Sequence, residues 1–219
     1  MTSFLRRYEV LLPKTPAAAR KTFKVYEPGF LHVDVKYLPQ MADKTTRRYL
    51  FVAIDRATRW VFVRILPAKT AANARRFLRD LHHSCPIRIA NILTDNGKEF
   101  TDRLFASRAR ATSGNHEFDQ LCAKLGIEHW LTLPKSPQTN GMVERFNGRI
   151  DALLKINRFD SALDLEQTLM RYVALYNTQL PQSVLEITHT MPPQTAIQAR
   201  SRDLRIQKFP RHRQKIVER

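Results

Sequence analysis

Cysteine, long apolar runs and acidic residues are what this chain has least of, and each scarcity narrows what it can be. Cys85 and Cys122 are the only two cysteines in 219 residues. They stand far apart, with no histidine pair at zinc-ligand spacing, which excludes a disulfide framework and a zinc ribbon and predicts two apolar fillers buried in a core. His82 and His83 are adjacent, so on a helix they point in different directions and lack the i, i+4 spacing of a metal-binding pair. No apolar run approaches the roughly 20 residues needed to cross a bilayer, and Met1-Thr2-Ser3-Phe4-Leu5-Arg6-Arg7 has no apolar secretory core. A cytoplasmic protein with no membrane partner is expected. What remains, 43% apolar and 26% charged, is the composition of one globular domain with extensions.

The shortage of acid is uneven. Against 37 Lys and Arg there are 20 Asp and Glu, a net charge of +17. Residues 1–24 carry Arg6, Arg7, Lys14, Arg20, Lys21 and Lys24 against Glu9, and residues 200–219 carry eight basic residues against Asp203 and Glu218. Excess charge concentrated in terminal segments suits arms that neutralise a polyanion backbone, although blocks of this kind also serve as solvated tails. The chain therefore divides into a basic arm over 1–27, a core with a following helix over 28–198, and a basic tail over 199–219.

Patterning within the core is that of an α/β domain. Val33, Val35 and Tyr37 alternate with His32, Asp34 and Lys36 as in a half-buried strand. Arg48 to Asp55 and Trp60 to Leu66 predict two more strands joined by Arg56-Ala57-Thr58-Arg59, which makes an antiparallel meander. Thr70 is placed to cap a helix through Ala74, Phe77, Leu78 and Leu81, after which Ile87 to Leu93 predicts a fourth strand. Residues 101–115, poor in apolar positions, predict an insertion or mobile loop. A short helix through Phe118, Leu121, Cys122 and Leu125 stops at Gly126, and Ile127 to Leu133 predicts a last strand. Val143, Phe146, Ile150 and Leu153 form an apolar stripe at helical spacing, and a further helix covers about Ser161 to Tyr176. Trp60 and Trp130, in strand patterns, are expected in the core.

Asp34, Asp95 and Glu144 stand out from this scaffold. The first lies within a strand, the second ends Ile92-Leu93-Thr94 and enters the turn Asp95-Asn96-Gly97, and the third opens a helix after the breaker run Pro134 to Gly141. Taken singly, each is a residue that local backbone physics favours at a strand end, a turn or a first helical turn. If they converge, each ionised pair at ~4 Å costs roughly 4 kcal/mol at an effective dielectric near 20, and a multivalent cation removes that cost. The triplet has too few oxygens for a closed Ca2+ cage but suits Mg2+, which keeps water and substrate oxygens in its shell. Two such ions activate an attacking oxygen and stabilise a leaving one.

The flanks of these acids carry a family likeness. The segments are His32-Val33-Asp34-Val35-Lys36-Tyr37-Leu38-Pro39-Gln40, Ala53-Ile54-Asp55-Arg56-Ala57-Thr58-Arg59-Trp60, Leu93-Thr94-Asp95-Asn96-Gly97-Lys98-Glu99-Phe100, and Ser136-Pro137-Gln138-Thr139-Asn140-Gly141-Met142-Val143-Glu144-Arg145-Phe146-Asn147-Gly148. Through them the chain, over roughly residues 28 to 182, resembles the DDE transposases of bacterial insertion sequences, whose catalytic core is similar to that of retroviral integrases. The resemblance implies an α/β, ribonuclease-H-like fold, a mixed five-stranded sheet flanked by helices, in which Asp34, Asp95 and Glu144 match the catalytic, metal-holding acids and Asp55 does not. It also implies DNA cleavage and strand transfer with two Mg2+ ions, Mn2+ substituting, on transposon ends and target DNA, by a homo-oligomer in a bacterial cytoplasm.

Lys98, Lys135, Arg145 and Arg149 cluster in sequence around the second and third acids, where they suit phosphate contacts, and Gln138, Asn140 and Asn147 suit either DNA or local turn and cap bonds. The chain departs from the family after Ser183, where Leu185-Glu186 and Thr190-Met191-Pro192-Pro193 replace an expected Leu-Gly and Thr-Pro, and no helix-turn-helix precedes the core. A truncated copy is therefore expected, and two other readings stand beside strand transfer: a ribonuclease-H-type nuclease on RNA–DNA hybrids, and a DNA-binding remnant without catalysis.

Overall fold

The computed structural model describes residues 26–103, 112–132, 141–181 and 191–199. Nearly all of the basic arm, the whole tail from 200, most of the 101–115 segment, and Lys135, Gln138 and Asn140 lie outside the described residues.

Among the described residues the elements run β1 (Phe30–Tyr37), β2 (Tyr49–Asp55), β3 (Val61–Leu66), α1 (Ala71–Ser84), β4 (Asn91–Thr94), α2 (Glu117–Lys124), β5 (Glu128–Leu131), α3 (Gly141–Ile156) and α4 (Ala162–Thr178). Residues 193–199 are also helical. The sheet order is β3-β2-β1-β4-β5. β1, β2 and β3 form the antiparallel meander that their spacing predicts, whereas β4 and β5 join parallel to β1 after helical crossovers. The result is the mixed five-stranded sheet.

Helices cover both faces, so strands that look half-buried in sequence are buried on both sides. In β2, Leu50, Val52 and Ile54 face Val143, Phe146, Ile150 and Leu153 of α3 and Leu165, Leu169 and Tyr172 of α4. Phe51 and Ala53 face the other way, toward Phe77, Leu78 and Leu81 of α1 and Phe118 of α2. His32, on the polar side of the β1 alternation, is likewise buried. Each fully buried Phe or Leu of this kind contributes roughly 1.5–3 kcal/mol. Polar clamps fix the layers: Asn177 of α4 accepts from the Val61 amide at 2.9 Å and donates to the Val61 carbonyl at 2.8 Å.

Local capping follows the sequence closely. Thr70 and Ser161 accept the backbone N–H of Asn73 and Asp164, which starts α1 and α4. The fourth strand is shorter than its apolar run, beginning at Asn91 rather than Ile87. The cause is the turn at Gly29, whose carbonyl accepts from both the Ala90 and Asn91 amides, so the ladder with β1 starts only there. Gly29 has φ +106°, and a Cβ on it would lie 2.4 Å from the Arg88 carbonyl oxygen. Asp55 closes the same corner, its buried carboxylate accepting from the amides of Gly29, Ala57 and Thr58 and from the Thr58 hydroxyl. This acid is structural. Cys122 is buried as expected, but Cys85, at the end of α1, is only part-buried because it follows the last turn of the helix.

Candidate active site

β1 and β4 pair from Phe30↔Asn91 to His32↔Leu93, after which β4 ends while β1 runs on to Tyr37 against β2. Asp34 and Asp95 each lie two residues past the last registered pair. The two strands have ceased to bond to each other there, and the acids, one within β1 and one just past β4, flank the opening. Burial raises the Asp34 pKa above the ordinary aspartate range, and the charge of Asp95 raises it further. The Val35 amide, Lys69 and Asn147 oppose that shift without cancelling it. Asp95 is held by its own turn, where Oδ1 accepts from the Gly97 amide at 3.0 Å.

α3 crosses β1 along one stripe of side chains. Asn147 Nδ2 donates to Asp34 Oδ2 at 2.8 Å, and Asp151, one turn on, pairs with Lys36 at 2.7 Å. Glu144 lies three residues before Asn147 on the same stripe, about 4.5 Å back along the helix axis at 1.5 Å per residue. It is exposed. Among the described residues no three His, Cys, Asp or Glu side chains stand close enough to hold a metal ion. Asp34 and Asp95 feel each other's charge, whereas Glu144 is exposed on the Asn147 face of α3 and does not join them in one cluster.

Two neighbours carry no signal in the sequence. Lys69, in the β3–α1 connection, reaches Glu99 Oε1 at 3.0 Å, and Glu99 is almost wholly buried. Desolvation works against the Lys69 charge, but the hydrogen bond and charge of Glu99, with Asp95 behind them, hold its pKa above the ordinary lysine value. Glu99 itself is pushed up by burial, which outweighs Lys69. Gly97 lies under this pair, and a Cβ there would sit 2.5 Å from Glu99 Oε1.

The cations of the sequence analysis fall in two places. Lys98 is exposed on the Asp95 turn. Arg145 and Arg149 lie about 200° around α3 from Asn147, two residues at roughly 100° each. Arg149 stacks over the Tyr176 ring at 5.4 Å, and Arg145 acts on Arg59 in the β2–β3 turn. Burial lowers the Arg59 pKa and raises that of Tyr176 to about 12. These arginines therefore form a group behind α3, apart from the acids. Asn147, a candidate DNA contact by sequence, bonds to Asp34.

Hard oxygen donors on adjacent parallel strands, with Asp34 pushed toward protonation by burial first and by Asp95 second, suit a divalent cation. Fold and site together define a ribonuclease-H-like domain with two carboxylates on its central strand β1 and just past the neighbouring β4. A family model described as integrase core domain matches residues 26–137, just over half the chain, and a second model of the same description matches residues 125–188. The chain belongs to the integrase core domain family.

A putative integrase of a Spiroplasma virus is 28% identical over 161 residues, 71% of this chain and 44% of that protein. A retrovirus-related Pol polyprotein from a transposon of Nicotiana tabacum is 30% identical over 105 residues, 47% of this chain and 7% of the polyprotein. The chain thus spans less than half the length of either relative. The same fold occurs in the catalytic core of HTLV-2 integrase, solved in complex with magnesium in a dimeric form, with TM-score 0.58 and 20% identity over 80% of this chain and 99% of that one. It occurs too in the catalytic core of BIV integrase, with TM-score 0.54 and 19% identity over 80% of this chain and 98% of that one. A simian T-cell lymphotropic virus intasome matches with TM-score 0.61 and 20% identity, over 94% of this chain and 63% of that one.

Proposed function

We propose that this chain is the catalytic core of a DNA transposase of bacterial insertion-sequence type, a polynucleotidyl transferase that cuts and joins phosphodiester bonds. The observation that carries the reading is the juxtaposition of Asp34 and Asp95 at the unzipped end of β1 and β4, with the Asn147–Glu144 stripe of α3 docked beside them. Asp34, Asp95 and Glu144 would hold two Mg2+ ions, with Mn2+ as substitute. Bound there, the metal supplies an activated attacking oxygen and charge stabilisation of the leaving one.

This chain's residues do the rest. Asn147 keeps the Asp34 carboxylate turned toward the opening. Lys69 holds positive charge beside Asp95 and Asp34. Lys98 and Lys135, and Arg145 and Arg149 on the flank of α3 away from the acids, contact backbone phosphates, Gln138 and Asn140 contact the DNA, and residues 1–27 and 199–219 act as flanking basic arms on either side of a core over 28–198. The active form is a homo-oligomer on transposon ends and target DNA in a bacterial cytoplasm.

The test is a labelled-oligonucleotide assay in Mg2+ and in Mn2+. Nicking or joining of DNA is expected in the wild type and lost in Asp34→Asn, Asp95→Asn and Glu144→Gln, with circular dichroism unchanged. Each amide keeps the shape of the acid while removing its charge. Full activity in any of the three would remove that residue from the site, and cleavage of an RNA–DNA hybrid without DNA joining would transfer the chain to the nuclease class.

A further inference from the structure

Behind Asp95 runs a buried polar chain that the proposed chemistry leaves unused. Asp119 of α2 is 4% exposed, His129 of β5 is 8% exposed, and Thr94, the last residue of β4, is fully buried. Asp119 Oδ1 lies 2.5 Å from His129 Nδ1, His129 Nε2 lies 2.9 Å from Thr94 Oγ1, and the Thr94 hydroxyl donates to the Asp95 carbonyl at 2.9 Å. The Thr94 hydroxyl thus bridges the His129 ring and the Asp95 carbonyl, and the Asp119 carboxylate meets the other ring nitrogen.

We infer that Asp119, His129 and Thr94 form a positioning relay that fixes the backbone carrying Asp95, so that its carboxylate is held ready for a divalent cation. The inference rests on the proposed role of Asp95 as a metal-holding acid. Three facts favour positioning over simple packing. β4 ends at Thr94, so Asp95 has no further ladder partner on β1 to hold it. The chain joins three separate elements, α2, β5 and β4, and ends on the peptide of Asp95. A second strut crosses the same gap: His116 Nε2 bonds to the Lys98 carbonyl oxygen at 3.1 Å, and the Gly114 amide donates to Asp119 Oδ2 at 3.3 Å. Both ends of the Asp95 turn are thereby tied to the segment that leads into α2. Partners that orient a metal ligand in this way typically govern affinity by ten- to a hundredfold.

The test reads metal binding directly, without DNA. Mn2+ binding to the purified full-length chain is followed by electron paramagnetic resonance, with thermal denaturation of the metal-free protein alongside. Thr94→Val keeps shape but cannot donate to Asp95, and it is expected to weaken Mn2+ binding about tenfold. His129→Asn, which can still reach Asp119 but not Thr94, is expected to do the same. Thr94→Ser, which restores the hydroxyl, should bind within about twofold of wild type on the same scale. Should His129→Asn fail to fold, the two Thr94 variants decide the matter. Thr94→Val that binds Mn2+ as tightly as wild type, whether or not its melting temperature falls, overturns the relay and leaves the three residues as packing. A wild type showing no Mn2+ binding that Asp34→Asn removes would instead overturn the reading of the acids, and the relay with it.

Discussion

Replacing Gly97 by Ala should damage the protein through one contact, and the size of the damage can be worked out. Gly97 is not in the left-handed region, so its backbone accepts alanine, and at an open position the exchange would stabilise by about 0.4–1 kcal/mol through the unfolded chain. Here the new Cβ would lie 2.5 Å from Glu99 Oε1 and 2.7 Å from Oε2. The carboxylate must swing by about 1 Å to reach ordinary contact distance, which takes it out of its present 3.0 Å geometry with Lys69. A hydrogen bond to a charged group is worth about 1.5–3 kcal/mol. Lys69 is partly exposed and regains water, but the Glu99 side chain is 3% exposed and regains little. A net loss of about 2 kcal/mol follows, or roughly 4–8 °C in melting temperature for a chain of this size. In a double-mutant cycle with Glu99→Ala, the double variant should be no less stable than Glu99→Ala alone, because the atom that meets the new methyl is gone. Additive losses in calorimetry would refute the argument.

Three further outcomes follow from the site. Because the folded-state pKa of Asp34 is raised, the folded chain holds that proton more tightly than the unfolded chain, so stability in a metal chelator is full below the unfolded value and is lost as pH rises through the raised one. Asp34→Asn should then melt higher than wild type at neutral pH in chelator, and an equal or lower melting temperature would contradict the assigned strain. Mg2+ at about a hundred times its dissociation constant should stabilise the wild type by roughly 2.7 kcal/mol and leave Asp34→Asn unmoved, as calorimetry would show. Asp55→Ala strands four buried donors at the Gly29 corner and should cost about 3 kcal/mol or more in urea denaturation, far beyond a typical surface change.

Much of this architecture was legible because it is local. The β1–β3 meander, the Thr70 and Ser161 caps and the apolar stripe of α3 are each written in a few neighbouring residues. The short start of β4 was not, since it depends on a carbonyl of Gly29 some sixty residues earlier. The juxtaposition of Asp34 and Asp95 was expected from their flanks and follows from the parallel register. Lys69 and Glu99 escaped notice because an isolated lysine in a loop and a glutamate in a charged turn look like surface, and only the tertiary fold buries the one beneath the other. Asn147 was singled out for DNA, yet its bond to Asp34 shows in the i, i+4 spacing to Asp151 only once Lys36 is known to be the partner of that acid. Where Arg145 and Arg149 stand was not legible for the same reason: nearness in sequence to Glu144 says little about place when two helical residues swing a side chain to the far flank.

The junction between β1 and β4 has a consequence for how the molecule breathes. Seven residue pairs join β1 to β2, but three join it to β4, and the acids meet just past those three. Opening the sheet along that line breaks few bonds, relieves a repulsion and carries Asp95 away while the meander bearing Asp34 stays whole. Native-state hydrogen exchange should therefore show the amides of β4 and β5 opening at lower free energy than those of β1 to β3. Bound cation would act as a latch on this line, slowing exchange in β4 first, so that occupancy of the site and integrity of the sheet become a single equilibrium.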